Sequence, residues 1–329
     1  MLAQTMALSA ALTGCSGAYD ADGEPASAGR LVAAPGRLPS ARPVVVDTDL
    51  GADDVVALGL LLRRPDVDVR AVTVAATGLV GCPDAGDVVT ALAAAVGTPP
   101  PPVACGRSEP GPRGRSMPAA WRTAAASGSG LPAPSAQVRH FASAPMVTQP
   151  AAGVIGRLAR QTPDLTIVAL GPLTNLADLA SSDPAAFSRL GEIHAMGGVL
   201  DGVGEGDVGE WNAAADPASF EAVLAAAASG QPRLTVVPLD AVPPGTPREL
   251  TGPVVGAVAA AAQLPAWWDA ATAAALVAPD AAVLTSGSFT VSASEPGRLQ
   301  RKGDGRVRLV QHLGAEGLRA VYASAFAAR

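Results

Sequence analysis

Asp47-Thr48-Asp49-Leu50-Gly51-Ala52-Asp53-Asp54 follows directly on the apolar run Val44-Val45-Val46, and this junction decides the fold. The run is β-branched and bounded by Pro43, which makes it a buried strand. From Val55 to Leu62 the residues are almost all apolar and predict a helix. The acids therefore occupy a strand-to-helix turn at the carboxyl end of a strand, where ligands bind in open α/β sheets. Carboxylates this close repel one another unless a cation or shared protons offset the charge. A hard divalent cation such as Ca²⁺, which takes several carboxylate and carbonyl oxygens, meets that need. Helix capping alone accounts for Asp53 and Asp54, since a helix N-terminus favours carboxylates. It leaves Asp47 and Asp49 unexplained.

The same alternation continues along the chain. Strands are predicted over Val69–Val74, Pro102–Ala104, Leu165–Leu170, Ile193–Met196 and Leu234–Leu239. Helices are predicted over Asp84–Val96, Met146–Arg160, Leu173–Leu179, Ala218–Ala228, Val254–Gln263 and Trp267–Val277. Asp216-Pro217 opens the fourth of these, with Asp as N-cap and Pro at the first position. Gly106 to Pro145 is a long Pro/Gly/Ser-rich loop with one helical turn near Ala119–Arg122. Phe289–Ser294 and Val307–Gln311 predict a hairpin joined through Lys302-Gly303-Asp304-Gly305, and Glu316–Phe326 a closing helix. The expected architecture is α/β: one domain with a mostly parallel open sheet flanked by helices on both faces. Four loops, Asp47–Asp54, Thr77-Gly78, Gly171–Asn175 and Gly197–Asn212, each follow a strand's carboxyl end and converge on one crevice.

With 329 residues, 49% of them hydrophobic, the chain is long enough for a large core. Its net charge of −6 and the lack of any basic block argue against nucleic acid as a partner. Leu2–Leu12 is apolar but too short to span a bilayer, and it ends in Leu12-Thr13-Gly14-Cys15. Small residues before a cysteine resemble a bacterial lipoprotein processing site. On that reading residues 1–15 are a signal segment, Cys15 carries the lipid, and the protein is exported to the cell surface. The positive residues expected ahead of such a segment are absent. The alternative is a frayed tail with a chance cysteine and a cytoplasmic location. Residues 16–42, rich in Gly, Ala, Ser and Pro, predict a flexible tether, leaving 43–329 as the catalytic domain. Cys82 and Cys105 are expected as two separate buried thiols, with a disulfide as the alternative; their spacing fits no zinc site.

The segments now in view resemble the calcium-dependent nucleoside hydrolases, the inosine/uridine-preferring family that cleaves the N-glycosidic bond of ribonucleosides. Asp47-Thr48-Asp49-x-Gly-x-Asp53-Asp54 is similar to the family signature. Ala169-Leu170-Gly171-Pro172-Leu173-Thr174-Asn175-Leu176 resembles its central strand-turn-helix. Met196-Gly197-Gly198 with Glu210-Trp211-Asn212-x-x-x-Asp216-Pro217 resembles its ribose-binding segment, and Trp268-Asp269 its late metal-ligand helix. The resemblance implies the Rossmann-like nucleoside hydrolase fold. It also implies Ca²⁺ held by Asp49, Asp54, Asp269 and the Thr174 backbone carbonyl, with Asp47 close by or supporting. Asp53, Glu210 and Asn212 would hold the ribose hydroxyls, and Asp49 would deprotonate the calcium-bound water. Residue chemistry agrees with these roles. Glycoside cleavage passes through a cationic, oxocarbenium-like state that carboxylates stabilise. Glu accepts hydrogen bonds from hydroxyls, while an Asn amide both donates and accepts.

Three positions depart from the family pattern. Ala76-Thr77-Gly78 stands where a Gly-Asn pair is usual. The loop Asp201–Gly209 lacks an expected asparagine. Trp268 replaces the histidine that helps the base leave. Trp268 could instead stack on the base, with Trp267 and Trp211 as rivals for that contact. His194 is expected in the core and His312 far from the site, whereas His140 could reach the crevice. The expected substrate is a nucleoside or related N-riboside, with activated or unusual leaving groups favoured. A catalytically impaired, riboside-binding surface lipoprotein is the non-enzymatic alternative. An aspartyl phosphotransferase is disfavoured because the only lysine, Lys302, falls in the predicted hairpin turn. A homo-oligomer is compatible with the sequence.

Overall fold

The computed structural model describes residues 36–126, 143–202, 204, 208–245 and 264–326, all within the unit Leu31–Arg329. The expected signal segment, Cys15, His140, the helix Val254–Gln263 and most of the predicted tether lie outside the described residues.

β1 (Arg42–Thr48) is the predicted strand Val44–Val46 lengthened by two residues at each end, so Asp47 lies in the strand rather than in the turn after it. It pairs in parallel with β2 (Val67–Val74) on one side and β5 (Thr166–Ala169) on the other. Val44, Val45 and Val46 are therefore covered on both faces, which is why the run is continuous rather than alternating. Beyond β2 lie β3 (Val103–Cys105) and β4 (Met146–Val147); beyond β5 lie β6 (Glu192–Met196), β7 (Arg233–Val237), β9 (Leu299–Leu313) and β8 (Ala282–Val291). Among the described residues only the β8–β9 pairing is antiparallel. The chain thus winds outward from β1 to β4, returns to β5 beside β1, and winds out the other way. The junction of β1 and β5 is a topological switch point, so the crevice opens at their carboxyl ends.

Helices cover both faces. α1 (Ala52–Arg63), α2 (Cys82–Val96), α9 (Trp268–Val277) and α10 (Ala315–Phe326) enclose one apolar core. α4 (Ala151–Gln161), α5 (Thr174–Ser182), α6 (Pro184–Phe187) and α8 (Pro217–Ala226) enclose the other. α1 is apolar nearly all round because it is wedged between the sheet and α9. Asp53 and Asp54 lie in its first turn and Arg63 in its last, as the helix dipole favours.

Five expectations need correction, four of them in the bounds and kinds of elements. Met146 does not begin a helix: Met146–Val147 is an edge strand, and α4 starts only after Pro150, whose φ of −56° and ψ of 149° hold an extended entry. The Ala119–Arg122 turn extends into α3 (Ala119–Ala126). Lys302–Gly305 is not the hairpin turn. Gly303 pairs with Ser288 and the next pair is Gly287 with Val307, so these glycines form a bulge inside β9. His312 lies in β9, not at the start of the closing helix.

Cys82 and Cys105 form a disulfide rather than separate thiols. β3 is the parallel neighbour of β2, and α2 starts after the loop that leaves β2, so both cysteines arrive at the carboxyl edge. Their Cα atoms are 5.8 Å apart, an ordinary separation for a bridge. A bond across 23 residues restrains the unfolded chain by about 3 kcal/mol.

Candidate functional site

The turn after β1 folds around one carboxylate. Leu50 has a φ of +59°, a left-handed conformation that costs a leucine about 1 kcal/mol. That reversal aims two backbone amides at Asp54: Asp49 N donates to Oδ1 at 3.2 Å and Gly51 N to Oδ2 at 3.1 Å. The Thr48 hydroxyl also donates to Asp54 Oδ1. Asp49 is held from the neighbouring loop, with Leu79 N donating to its Oδ2 at 3.2 Å and Gly51 N to its Oδ1 at 3.3 Å. Gly78 presses on the same side chain. A Cβ there would stand 2.2 Å from Asp49 Oδ2, so the residue in the Gly-Asn position has no room for a side chain.

Asp269, at the start of α9, comes from the far end of the sequence to this turn. One carboxylate oxygen from each of Asp53, Asp54 and Asp269 lies within 4.8 Å of the others. Asp269 N donates to Asp53 Oδ2 at 3.2 Å. Asp49 adjoins the trio, close enough that Asp54 and Asp49 shift each other's acidity. Asp47 is one layer deeper: its Oδ1 accepts from Thr73 Oγ1 at 2.6 Å and Asn175 Nδ2 at 2.7 Å.

All these acids are buried, and among the described residues none of them joins an ion pair. Burial pushes Asp47 up to about 7, against the Thr73 and Asn175 hydrogen bonds. Burial and the adjacent Asp54 push Asp53 to about 7 as well. Asp49 and Asp269 are raised well above the usual carboxylate range, by burial first and neighbouring acids second. Asp269 Oδ1 and Asp47 Oδ2 are buried without a hydrogen-bond partner. Leaving such an oxygen unpaired is costly. A hard cation fits both facts, since it neutralises the charge and fills the coordination of oxygen ligands.

Around this group lie the other expected residues. Glu210 caps α7 (Trp211–Ala215): Oε1 accepts from Asn212 N at 2.6 Å, and Oε2 from Gly198 N at 2.6 Å and Ala213 N at 2.9 Å. Asn212 Nδ2 donates to Leu170 O at 2.6 Å, which fixes the amide and leaves its oxygen to accept. Thr174 is buried at the start of α5, its hydroxyl donating to Asp216 Oδ2 at 2.9 Å and paired with Thr77 Oγ1 at 2.8 Å. Trp268 is half-buried beside Asp269. Trp267 is not available to a ligand, because it packs edge-on against Tyr322 in the core. Trp211 meets exposed Trp121 edge-on, with ring centres 5.6 Å apart. His194 is buried beside Glu192, as expected of a core residue.

Sequence reasoning missed Asp216. It is more than an N-cap: fully buried, it accepts from Thr174 Oγ1, Ser219 Oγ, Gly111 N and Arg107. The Asp216-Pro217 dipeptide signalled the cap and nothing of the hub. Asn175, which holds Asp47, was within the quoted Thr174-Asn175 motif and carried that signal unused.

Residues 44–312 match the sequence model of the family described as inosine-uridine preferring nucleoside hydrolase. The pyrimidine-specific ribonucleoside hydrolase RihA of Citrobacter koseri is 33% identical over 186 residues, covering 56% of this chain and 57% of that protein. Uridine nucleosidase 1 of Arabidopsis thaliana is 29% identical over 189 residues, 56% of this chain and 54% of that protein. The chain thus matches just over half the length of these relatives. Among solved structures, an inosine-uridine preferring nucleoside hydrolase from Bacillus anthracis superposes with a TM-score of 0.73 at 23% identity, covering 86% of this chain and 98% of that one. A plant nucleoside hydrolase, PpNRh1, gives 0.71 at 22% identity, covering 87% and 99%. At such identities the likeness is one of fold.

Proposed function

We infer the function of this protein from one premise: the chain belongs to the inosine-uridine preferring nucleoside hydrolase family. It hydrolyses the N-glycosidic bond of a nucleoside or related N-riboside. The observation that carries this reading is the meeting of Asp269 with Asp53 and Asp54 at the switch point, with Asp269 Oδ1 left unpaired. Asp49, Asp54, Asp269 and the Thr174 carbonyl would hold Ca²⁺, with Asp47 behind them. A bound Ca²⁺ supplies a hard positive centre that keeps the acids ionised and orients a water and the ribose diol.

This chain's own groups do the rest. Asp49 Oδ takes the proton of the attacking water, a role worth about 10²–10⁴-fold in rate. Asp53 and Glu210 accept hydrogen bonds from ribose hydroxyls, and Asn212 offers its free amide oxygen. The surrounding carboxylates stabilise positive charge as it develops on the sugar. Trp268 offers an aromatic face to the leaving base and no proton, so ribosides whose base departs unaided are the preferred substrates. Export suits the Cys82–Cys105 bond, because disulfides persist in oxidising compartments; Cys15 would then be the anchor.

Steady-state hydrolysis of p-nitrophenyl riboside tests the reading, since that leaving group needs no acid. Turnover that disappears in Asp49→Asn supports it. Tight riboside binding without turnover supports instead the surface riboside binder, the reading that Trp268 in place of a proton donor favours.

A further inference from the structure

Resting on that reading of the site, we propose that Cys82 and Cys105 are positioning residues: their disulfide locks together the two loops that hold Asp49, Asp47 and Thr174 in place. Cys82 ends the first loop. That loop runs from Ala75, whose amide donates to Thr48 O at 2.9 Å, to Val80, whose amide donates to Asp49 O at 3.0 Å. Between them Leu79 N binds the Asp49 carboxylate and Gly78 abuts it. One side of the bridge therefore leads within a few residues to both the backbone and the side chain of Asp49.

Cys105 begins the second loop. Gly106 follows it, with its amide donating to Val74 O at 2.9 Å. A Cβ on Gly106 would stand 1.8 Å from Asn175 Oδ1, and Asn175 in turn donates to Asp47. Arg107 comes next and reaches Asp216 Oδ2 at 3.2 Å, the atom that also accepts from Thr174 Oγ1. The other side of the bridge therefore leads to Asp47 and Thr174.

Besides the disulfide, a short strand pairing joins these loops. Among the described residues the β2–β3 ladder is short, Val72–Val103, Thr73–Ala104 and Val74–Cys105 with Val72 N–Pro102 O and Gly106 N–Val74 O at its ends, and outer β4 is two residues long. A short ladder near a sheet edge opens locally at small cost. The covalent bond removes that freedom at the point where it would displace metal ligands. Groups that orient metal ligands contribute about 10–100-fold to affinity when they are lost.

The test is calorimetric titration of Ca²⁺ into the full chain in three forms: oxidised, reduced, and Cys82→Ser/Cys105→Ser. Reduction uses a dithiol, which breaks the S–S bond by delivering two electrons and two protons, leaves two thiols, and becomes a cyclic disulfide itself. Circular dichroism at the titration temperature accompanies each. The expected result is a Kd weakened at least about tenfold in the reduced and double-Ser forms with secondary structure retained. A purely structural staple lowers Tm and leaves Kd alone, so an unchanged Kd overturns the proposal. Unfolding on reduction overturns it too, because the bond would then hold the fold rather than the site. Oxidised protein that binds no Ca²⁺ sinks the reading of the site and the clamp with it, whereas binding indifferent to the disulfide sinks the clamp alone.

Discussion

With no cation bound, this protein should become less stable as pH rises, the reverse of ordinary acid denaturation. The effect is clearest at Asp47, whose carboxyl burial lifts from 3.8 to about 7. Between those values the folded chain holds a proton that the unfolded chain has released. Stability therefore falls as pH rises through that window and levels off above it. One such carboxyl costs about 2–3 kcal/mol between pH 5 and pH 8. Asp53, raised to about 7 in the same way, shifts stability in the same direction. For a domain of this size the loss from Asp47 alone lowers Tm by about 5 °C or more. The assay is a set of thermal melts in excess chelator across that range, repeated in excess Ca²⁺. Chelated protein should melt progressively lower with rising pH. Added Ca²⁺ should raise Tm most at the high end, because it binds the ionised acids. Chelated melts that stay flat or climb toward pH 8 would refute the reasoning.

Other expectations concern single residues. Gly78→Ala puts a Cβ 2.2 Å from Asp49 Oδ2, so Ca²⁺ affinity measured by titration should fall while the far core is unaffected. Asp49→Asn should lower kcat for p-nitrophenyl riboside by about 10²–10⁴-fold with Tm little changed; retained turnover means another group is the base. Trp268→Ala should raise KM for natural nucleosides more than for p-nitrophenyl riboside if its ring meets the base. Trp267→Ala, by contrast, should cost about 3–5 kcal/mol in urea unfolding, because that ring fills the core against Tyr322.

The strand-to-helix acid turn was legible because its signals are local: a β-branched run, then acids, then an apolar helix. Its place at the switch point followed from the alternation of strands and helices. That alternation says which elements exist and leaves open how far they reach. Met146–Val147 looked helical because the periodicity of α4 runs backward through it, and only the extended geometry at Pro150 ends that run. Lys302-Gly303-Asp304-Gly305 looked like a turn, since glycines serve a bulge within a long strand equally well. The Cys82–Cys105 bond depends on β3 lying beside β2, a pairing that no local pattern encodes. The same is true of Asp216, whose distant partners come from two separated segments, the loop carrying Arg107 and Gly111 and the start of α5 at Thr174. Trp267 and Trp268 are neighbours in sequence, and only the packing of α10 assigns one to the core.

The most direct test is a crystal structure of the protein grown with Ca²⁺ and a non-hydrolysable riboside, with the metal located by its anomalous signal. The account predicts one calcium peak bounded by Asp49, Asp54, Asp269 and the Thr174 carbonyl, with the sugar diol on its open side. Ordered water among those four groups, with calcium or the sugar bound elsewhere, contradicts it.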